Sequence, residues 1–466
     1  MTDSPRDMNL KETSIIRLWD DSSRRMVSYD LSTVFASLDV ALAGAENCQC
    51  LYVELENTPA SALLAFYLLH RKVNCHFSKK QEPGHMPPFC NSQVHPGGAF
   101  VDELRMARLL NNEDGHAVHN DLQNTRGLVL FQSSGTTGDV KFVCFRSEVL
   151  LENARNFAKF FGLHAGTTIL VPVPIYHMFG LGVGLLPAML SGAAIVLPAH
   201  THIVTLYQHC FLSVPDVVLL TPSICKMMLA YKKQLTCRPR FISAGESISE
   251  KLYSEFEMQY GTLVNLYGST EMGAMATTPL TASGAERWQG TVQSLPGVEI
   301  TLCEENGEVL CRHHAGFWGY LMKGTDLVKY DPHTWFQTRD WGTWLSTDRF
   351  VVKGRIDNCI NRLGFLVSLE QVEMLLERLL TGVAKVAVCD IDKPTMKGGT
   401  LVAFLCNEKD STYTTQQVKD LCRKHLARQL IPDEFVFTRS LPKLGTGKLD
   451  RHSLNQFYHH LTSIKL

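Results

Sequence analysis

The sequence predicts an α/β protein, with a large N-terminal domain of αβ-layered lobes plus a β-rich lobe and a small α+β C-terminal domain. Three observations predict it. Between Leu128 and Leu266 short β-branched runs alternate with longer amphipathic stretches, as parallel strands crossed over by helices do. Beyond Gly290 the helical stretches give way to short apolar runs at Val298–Cys303, Glu308–Cys311 and Phe350–Lys353. After Arg355 helix and strand patterns return in a compact terminal piece, so the boundary falls between residues 1–355 and 356–466.

Taken in order, Ile15–Trp19 and Met26–Tyr29 read as short strands and Leu31–Ala43 as an amphipathic helix. Cys50–Leu55 reads as a strand. Thr58 as N-cap and Pro59 at the first helical position open a helix that runs to His70. Residues 78–100 hold Pro83, Gly84, Pro87, Pro88, Pro96, Gly97 and Gly98, which mark a loop or lobe junction. Strands follow at Leu128–Phe131, Thr168–Val173, Ala194–Leu197, Val217–Leu220, Arg240–Ile242 and Val264–Leu266. Helices at Val149–Phe161, Gly182–Leu190, Ser223–Tyr231 and Glu250–Tyr260 separate most of them. The run Phe179–Ala199 has no charge and is long enough to cross a bilayer. Its glycines and prolines, and the lack of a basic flank, point instead to a buried helix, a stop at Gly192 and a buried strand.

With 466 residues, 45% hydrophobic and 20% charged, the chain has material for several packed lobes. Its 45 basic and 46 acidic residues give a net charge of −1, which offers no electrostatic case for nucleic acid or an anionic membrane surface. The 14 cysteines contain no CxxC pair, and the N-terminal residues are polar rather than leader-like. Reduced thiols in a cytoplasmic protein are the expectation.

The densest chemistry lies after the apolar run Gly127–Phe131. Ser133, Ser134, Gly135, Thr136, Thr137, Gly138 and Lys141 form a stretch rich in hydroxyls and uncovered backbone N–H groups. Such a loop suits a polyanion, since many donors and one cation can wrap phosphate oxygens. It is no Walker A loop: two residues, not four, separate the glycines, and Phe142 follows the lysine. Phe142–Phe145 returns to the core, so the loop reads as a hairpin tip. Alone it is equally a polar turn.

Four further stretches change that balance. They are Asn265-Leu-Tyr-Gly-Ser-Thr-Glu-Met-Gly273, Trp335-Phe-Gln-Thr-Arg-Asp340, Gly354-Arg-Ile-Asp-Asn-Cys-Ile-Asn-Arg-Leu-Gly364 and Leu441-Pro-Lys-Leu-Gly-Thr-Gly-Lys-Leu-Asp-Arg451. In this order and spacing the five resemble the adenylate-forming superfamily, which includes acyl-CoA synthetases, adenylation domains of nonribosomal peptide synthesis and luciferases. The resemblance implies ATP and Mg²⁺ as cofactors, a large adenylation domain, and a small domain that rotates between two half-reactions. It implies that the Ser133–Lys141 loop holds the β- and γ-phosphates. Thr270 would meet the α-phosphate, and Glu271 would hold the metal. Asn265, Tyr267 and Gly268 would line the adenine side. Asp340 would accept the ribose hydroxyls, with Arg355 beside it. Lys448 would bridge the carboxylate and the α-phosphate, Asp357 would be the hinge, and Gly364 would let a pantetheine arm pass.

The substrate reading rests on Pro174–Gly180 and Phe241–Gly245. His177 either lines the acyl pocket or is a hydrogen-bonded core histidine. Gly180 stands where amino-acid-activating members carry an aspartate, and no acid occurs between Tyr176 and Ala199. A buried ammonium would go unpaired there, so the expected substrate is an apolar aryl or alkyl acid, with Ser243, Ala244 and Gly245 as another wall. The partners expected are that small acid and CoA or an acyl carrier protein, without nucleic acid or membrane. The alternatives are transfer of the adenylate to an amine, or a nucleotide-binding homologue without catalysis. Four positions depart from the pattern: Val140 for a proline, Arg339 for a glycine, Asn358 for an acid and Leu366 for an arginine. The first two are tolerable where the backbone keeps a negative φ.

Overall fold

The computed structural model describes residues 15–21, 23–43, 49–79, 92–94, 110–111, 122, 124–133, 141–199, 202–322, 327–362, 365–380, 383, 385–391, 400–406, 413–442 and 449–463. Two compact units result. One comprises Met1–Thr301, Cys311–Phe336 and Thr347–Arg349; the other comprises Leu302–Leu310, Gln337–Ser346 and Phe350–Leu466.

The first unit contains two mixed sheets. Nine neighbouring strands of one run in the order Thr291–Ser294, Gly273–Thr277, Leu263–Ser269, Arg240–Ser243, Val217–Leu220, Thr168–Leu170, Ala194–Val196, Ile15–Asp20 and Arg25–Asp30. From Leu263–Ser269 through Ile15–Asp20 each pairing is parallel, as the alternating pattern predicted. The second sheet pairs Leu128–Ser133 with Cys75–Ser78 in parallel and with Lys141–Arg146 antiparallel. Parallel strands need cover on both faces, and the strands Leu51–Glu54, Cys75–Ser78 and Val217–Leu220 are buried at every residue.

The helix Pro59–His70 starts as its sequence dictates. Thr58 accepts the Ser61 N–H at 3.2 Å and Pro59 occupies the first turn. Every residue from Ala60 to Leu69 is buried, so the helix is apolar all round. Just before it, buried Asn57 reaches across the fold. Its Nδ2 donates to the Val171 and Val173 carbonyls, each at 3.1 Å, and its Oδ1 accepts the Ile175 N–H at 3.1 Å.

The uncharged run at 179–199 folds into the core. Its helix starts earlier than predicted and begins as a π-helix, Phe179–Leu185, followed by an α-helix, Leu186–Ser191. Pro187 has no N–H to give the regular ladder, which accompanies this change of hydrogen-bond phase. Gly192 caps the helix in the left-handed region and the strand Ala194–Val196 follows. Among the described residues no helix is long and apolar enough to cross a membrane, and eleven cysteines are free thiols.

The second unit contains the hairpin Phe336–Trp344/Phe350–Arg355 and a three-stranded sheet with Thr400–Cys406 in the middle. That strand pairs antiparallel with Lys385–Ile391 and parallel with Glu434–Thr438. Val372, Leu376, Val388, Leu401, Ala403, Leu405 and Val418 form its core.

Candidate active site

The hairpin predicted around the phosphate loop is present. Ser133 and Lys141 are register partners at its mouth. Ser134, Gly135, Thr136, Thr137 and Gly138 lie outside the described residues, as do Val140 and the Ser133 side chain. Lys141 Nζ sits 4.1 Å from the centroid of the Tyr320 ring and 3.9 Å from Glu271 Oε1. Two separate motifs therefore bring their charged groups together.

Glu271 belongs to a tight hairpin between Leu263–Ser269 and Gly273–Thr277. The register shifts between Tyr267 and Gly268. A Cβ on Gly268 would fall 2.3 Å from the Gly273 carbonyl oxygen, and Gly273 itself has φ +65°. Both glycines are therefore steric requirements of the turn. The backbone of Glu271 and Met272 is tied down on several sides. The Ser269 hydroxyl accepts the Met272 N–H at 3.0 Å, and the Glu271 carbonyl accepts the Phe317 N–H at 2.8 Å. The Met272 carbonyl accepts Asn153 Nδ2 at 3.3 Å and lies 2.9 Å from His313 Nε2. Burial pushes His313 down to about 4, which keeps it neutral with Nε2–H as the donor.

The Glu271 side chain is 16% exposed and accepts the Tyr320 hydroxyl at 3.0 Å. Burial, followed by the adjacent Glu271 charge, pushes the Tyr320 phenol up, so it stays a donor. Sequence reasoning missed Asn153, His313 and Tyr320. None lies in a motif, and no periodicity marks a buried polar residue that supports a distant turn.

Asn265, Tyr267 and Thr270 are partly buried along the same hairpin. Ser243 pairs with Asn265 across the parallel ladder, which places the Ser243–Gly245 wall beside the adenine candidates. Ser243 is buried next to the Cys225 thiol, which burial pushes up to about 12. Gly245 has φ +94°, a conformation that favours glycine.

His177 is exposed, which removes the core-histidine reading. Its ring centroid is 4.5 Å from that of Tyr176. Two features hold the segment before it. Asn57 binds its backbone, and a Cβ on Gly180 would fall 2.1 Å from the Pro174 carbonyl oxygen. Gly180 is thus required by the packing of its own turn.

In the second unit, Asp340 and Arg355 are register partners and their side chains approach to 3.3 Å. Asp340 is 14% exposed, and its N–H donates to Thr338 Oγ1 at 3.1 Å. Thr338 Oγ1 donates in turn to the Val309 carbonyl at 2.7 Å. Arg339, between them, has φ +61° while its N–H donates to Glu308 Oε1 at 3.0 Å. The condition of a negative φ is therefore not met. The arginine occupies a left-handed backbone that a glycine would adopt without strain.

Asp357 lies in the 3-10 turn Ile356–Asn358, with its side chain outside the described residues. Gly364, the Leu366 side chain and Lys448 are outside them too. The flanks of Lys448 are described: the Asp450 N–H donates to the Pro442 carbonyl at 3.0 Å, which brings the two flanks together. The next residue, Arg451, donates to both Glu373 oxygens (2.6 and 3.2 Å), to Glu370 Oε1 (3.3 Å) and to the Val388 carbonyl (2.5 Å). Asn358 Nδ2 bonds the same Glu370 oxygen. The turn Ile356–Asn358 and the start of the final helix at Arg451 are thereby braced on a shared carboxylate.

The sequence model of the AMP-binding enzyme matches residues 40–324, and that of the AMP-binding enzyme C-terminal domain matches 372–448. An oxalate–CoA ligase of Arabidopsis thaliana is 26% identical over 357 residues, covering 71% of this chain and 68% of the relative. An indoleacetate–CoA ligase of Aromatoleum aromaticum is 26% identical over 346 residues, covering 71% and 67%. ATP-bound MatB from Rhodopseudomonas palustris shares the fold with a TM-score of 0.76 at 17% identity over 98% of this chain and 97% of that one. The o-succinylbenzoate CoA synthetase of Bacillus subtilis, in complex with its acyl-adenylate intermediate, gives 0.75 at 18% identity over 97% and 98%. With well over half its length matched by the family model, the chain belongs to the AMP-binding enzyme family.

Proposed function

We propose that this protein is an ATP-dependent carboxylic-acid ligase. It activates an apolar aryl or alkyl carboxylate as acyl-AMP, releases pyrophosphate, and passes the acyl group to the pantetheine thiol of CoA or of an acyl carrier protein. The observation that carries the reading is Glu271, fixed by Tyr320 in a braced turn with the Lys141 ammonium 3.9 Å away. Attack of a carboxylate on the α-phosphorus sets anion against anion, so catalysis is chiefly positioning and charge stabilisation.

Roles follow by site. The Ser133–Lys141 hairpin wraps the departing phosphates. Thr270 meets the α-phosphate, and Asn265, Tyr267 and Gly268 hold the adenine. Asp340 accepts the ribose hydroxyls with Arg355 beside it. Lys448 is the cation between carboxylate and α-phosphate. His177, Gly180 and Ser243–Gly245 border the acyl pocket, and no acid occurs between Tyr176 and Ala199 to hold an amino acid's ammonium. Mg²⁺ fits the donors, because Glu271 offers one carboxylate and Thr270 a hydroxyl. Among the described residues no three His, Cys, Asp or Glu gather into a cage. One carboxylate plus phosphate oxygens is a set that Mg²⁺ accepts, and the ion supplies charge neutralisation there. Residues 356–466 act as a small domain that turns about Asp357 for thiolation, with Gly364 beside the thiol path.

Pyrophosphate exchange into ATP, run across aryl, short-chain, long-chain and amino acids, tests this. Exchange with an aryl or alkyl class is expected; exchange with amino acids alone overturns the substrate reading. AMP release indifferent to CoA and to holo-carrier favours transfer to an amine. Lys448→Ala should cut adenylation by roughly two or more orders of magnitude. It should spare thioester formation from preformed acyl-AMP, and equal loss of both removes the role assigned to Lys448.

A further inference from the structure

The parallel strands of the first unit have two edges. Ser243–Gly245 and Tyr267–Gly268 lie at the carboxyl-terminal edge. The amino-terminal edge holds a separate cleft of about 630 Å³, bordered by the starts of the strands Val217–Leu220, Arg240–Ser243 and Leu263–Ser269 and by the loop at 162–167. Arg240 and Ser243 are opposite ends of one strand, so roughly 10 Å of chain separates the edges.

Arg238 and Arg240 both line this cleft. Pro239 between them disfavours a helical Arg238 and keeps the stretch extended, which sends both side chains off the same face. Among the described residues neither guanidinium has a hydrogen-bond or ion-pair partner. The remaining charges of the cleft are already engaged. Arg287 makes a bidentate pair with Glu257 at 2.8 and 3.1 Å, and Trp288 Nε1 donates to the same carboxylate at 2.9 Å. Asp216 Oδ2 accepts the Thr168 N–H at 2.8 Å. His164 Nδ1 accepts the Gly166 N–H at 3.0 Å. Leu163, Val264 and Leu280 add apolar wall.

Two unpaired guanidinium forks match two carboxylate or phosphate groups. The volume is that of a small-molecule site, and the apolar wall suits an organic body. We propose that this cleft is a second binding site, apart from the reacting edge, for a small organic molecule with two anionic groups, carboxylate or phosphate, gripped by Arg238 and Arg240. It is independent of the ligase reading, because it uses none of those residues.

Isothermal titration of the full chain with succinate and with fructose 1,6-bisphosphate tests it and separates a dicarboxylate from a bisphosphate ligand. Saturable binding of at least one probe is expected, weakened by raised salt. Arg238→Gln and Arg240→Gln should each weaken it about tenfold, and the double variant should abolish it. Circular dichroism melts confirm that the variants fold. No binding of either probe at millimolar concentration overturns the proposal. So does binding that the double variant retains, or that ATP displaces competitively. The readout is binding, so it stands whether or not pyrophosphate exchange is observed.

Discussion

Arg339 holds a backbone conformation set by its neighbours. Its N–H is bonded to Glu308 and that of Asp340 to Thr338, so the chain cannot relax locally without giving up hydrogen bonds. The left-handed conformation costs a side-chain-bearing residue about 1–2 kcal/mol, and glycine's extra unfolded-state freedom offsets roughly half of that. Arg339→Gly should therefore stabilise the protein by about 0.5–1 kcal/mol in urea denaturation; a loss of stability would show that the arginine side chain matters more than its backbone. Asn57 makes the opposite case. Asn57→Ala leaves the Val171, Val173 and Ile175 backbone groups short of a partner and should cost about 2–3 kcal/mol, with reduced activity because the His177 segment shifts. The sequence marked Arg339 as an exception but could not supply its φ. Asn57 stands just before the Thr58 cap that the sequence did mark, and nothing local there reveals a partner more than a hundred residues away.

At the scale of elements, motif spacing was the more legible signal. The run Val264–Leu266 was read as a strand and the motif after it marked Glu271, but the partner strand Gly273–Thr277 was not read. The supports of that turn come from a helix and from the segment around residues 313–320, and these contacts exist only after folding. The π-helix at Phe179–Leu185 was hidden for a related reason: an all-apolar run carries no periodicity to report its hydrogen-bond phase. In the second unit, Arg451 ties the final helix to Glu370 and Glu373. Glu373 is partly buried, and desolvation pushes its carboxyl up against the pull of Arg451. Arg451→Met leaves that acid unpaired and should destabilise the C-terminal unit by about 3–5 kcal/mol. Adding Glu373→Gln should recover part of the loss; additive losses in the double variant would show that the pair is not coupled.

For the whole molecule, α/β class and layering were readable because parallel sheets and crossover helices have distinct textures. Strand order was not. Ile15–Asp20 pairs beside Ala194–Val196, and no feature of either run announces the other. Distant burial of this kind also sets a pH response. His76 is fully buried against the Leu130 carbonyl, and burial pushes it, like His313, from the ordinary 6.5 down to about 4. Between those values the unfolded chain binds protons that the folded chain refuses. Stability is therefore complete above pH 6.5 and falls as pH drops toward 4, by on the order of 3 kcal/mol per group. Urea midpoints measured from pH 7.5 to 4.5 should show that decline, and His313→Gln should flatten it; a midpoint that rises on acidification contradicts both assignments.

The left-handed backbone at Arg339 also has a genetic consequence. Each of the six arginine codons is a single nucleotide from a glycine codon. Whichever triplet encodes this position, the relaxed form lies one base change away. A library of random point mutants selected for survival of heating should return that glycine repeatedly and from independent clones.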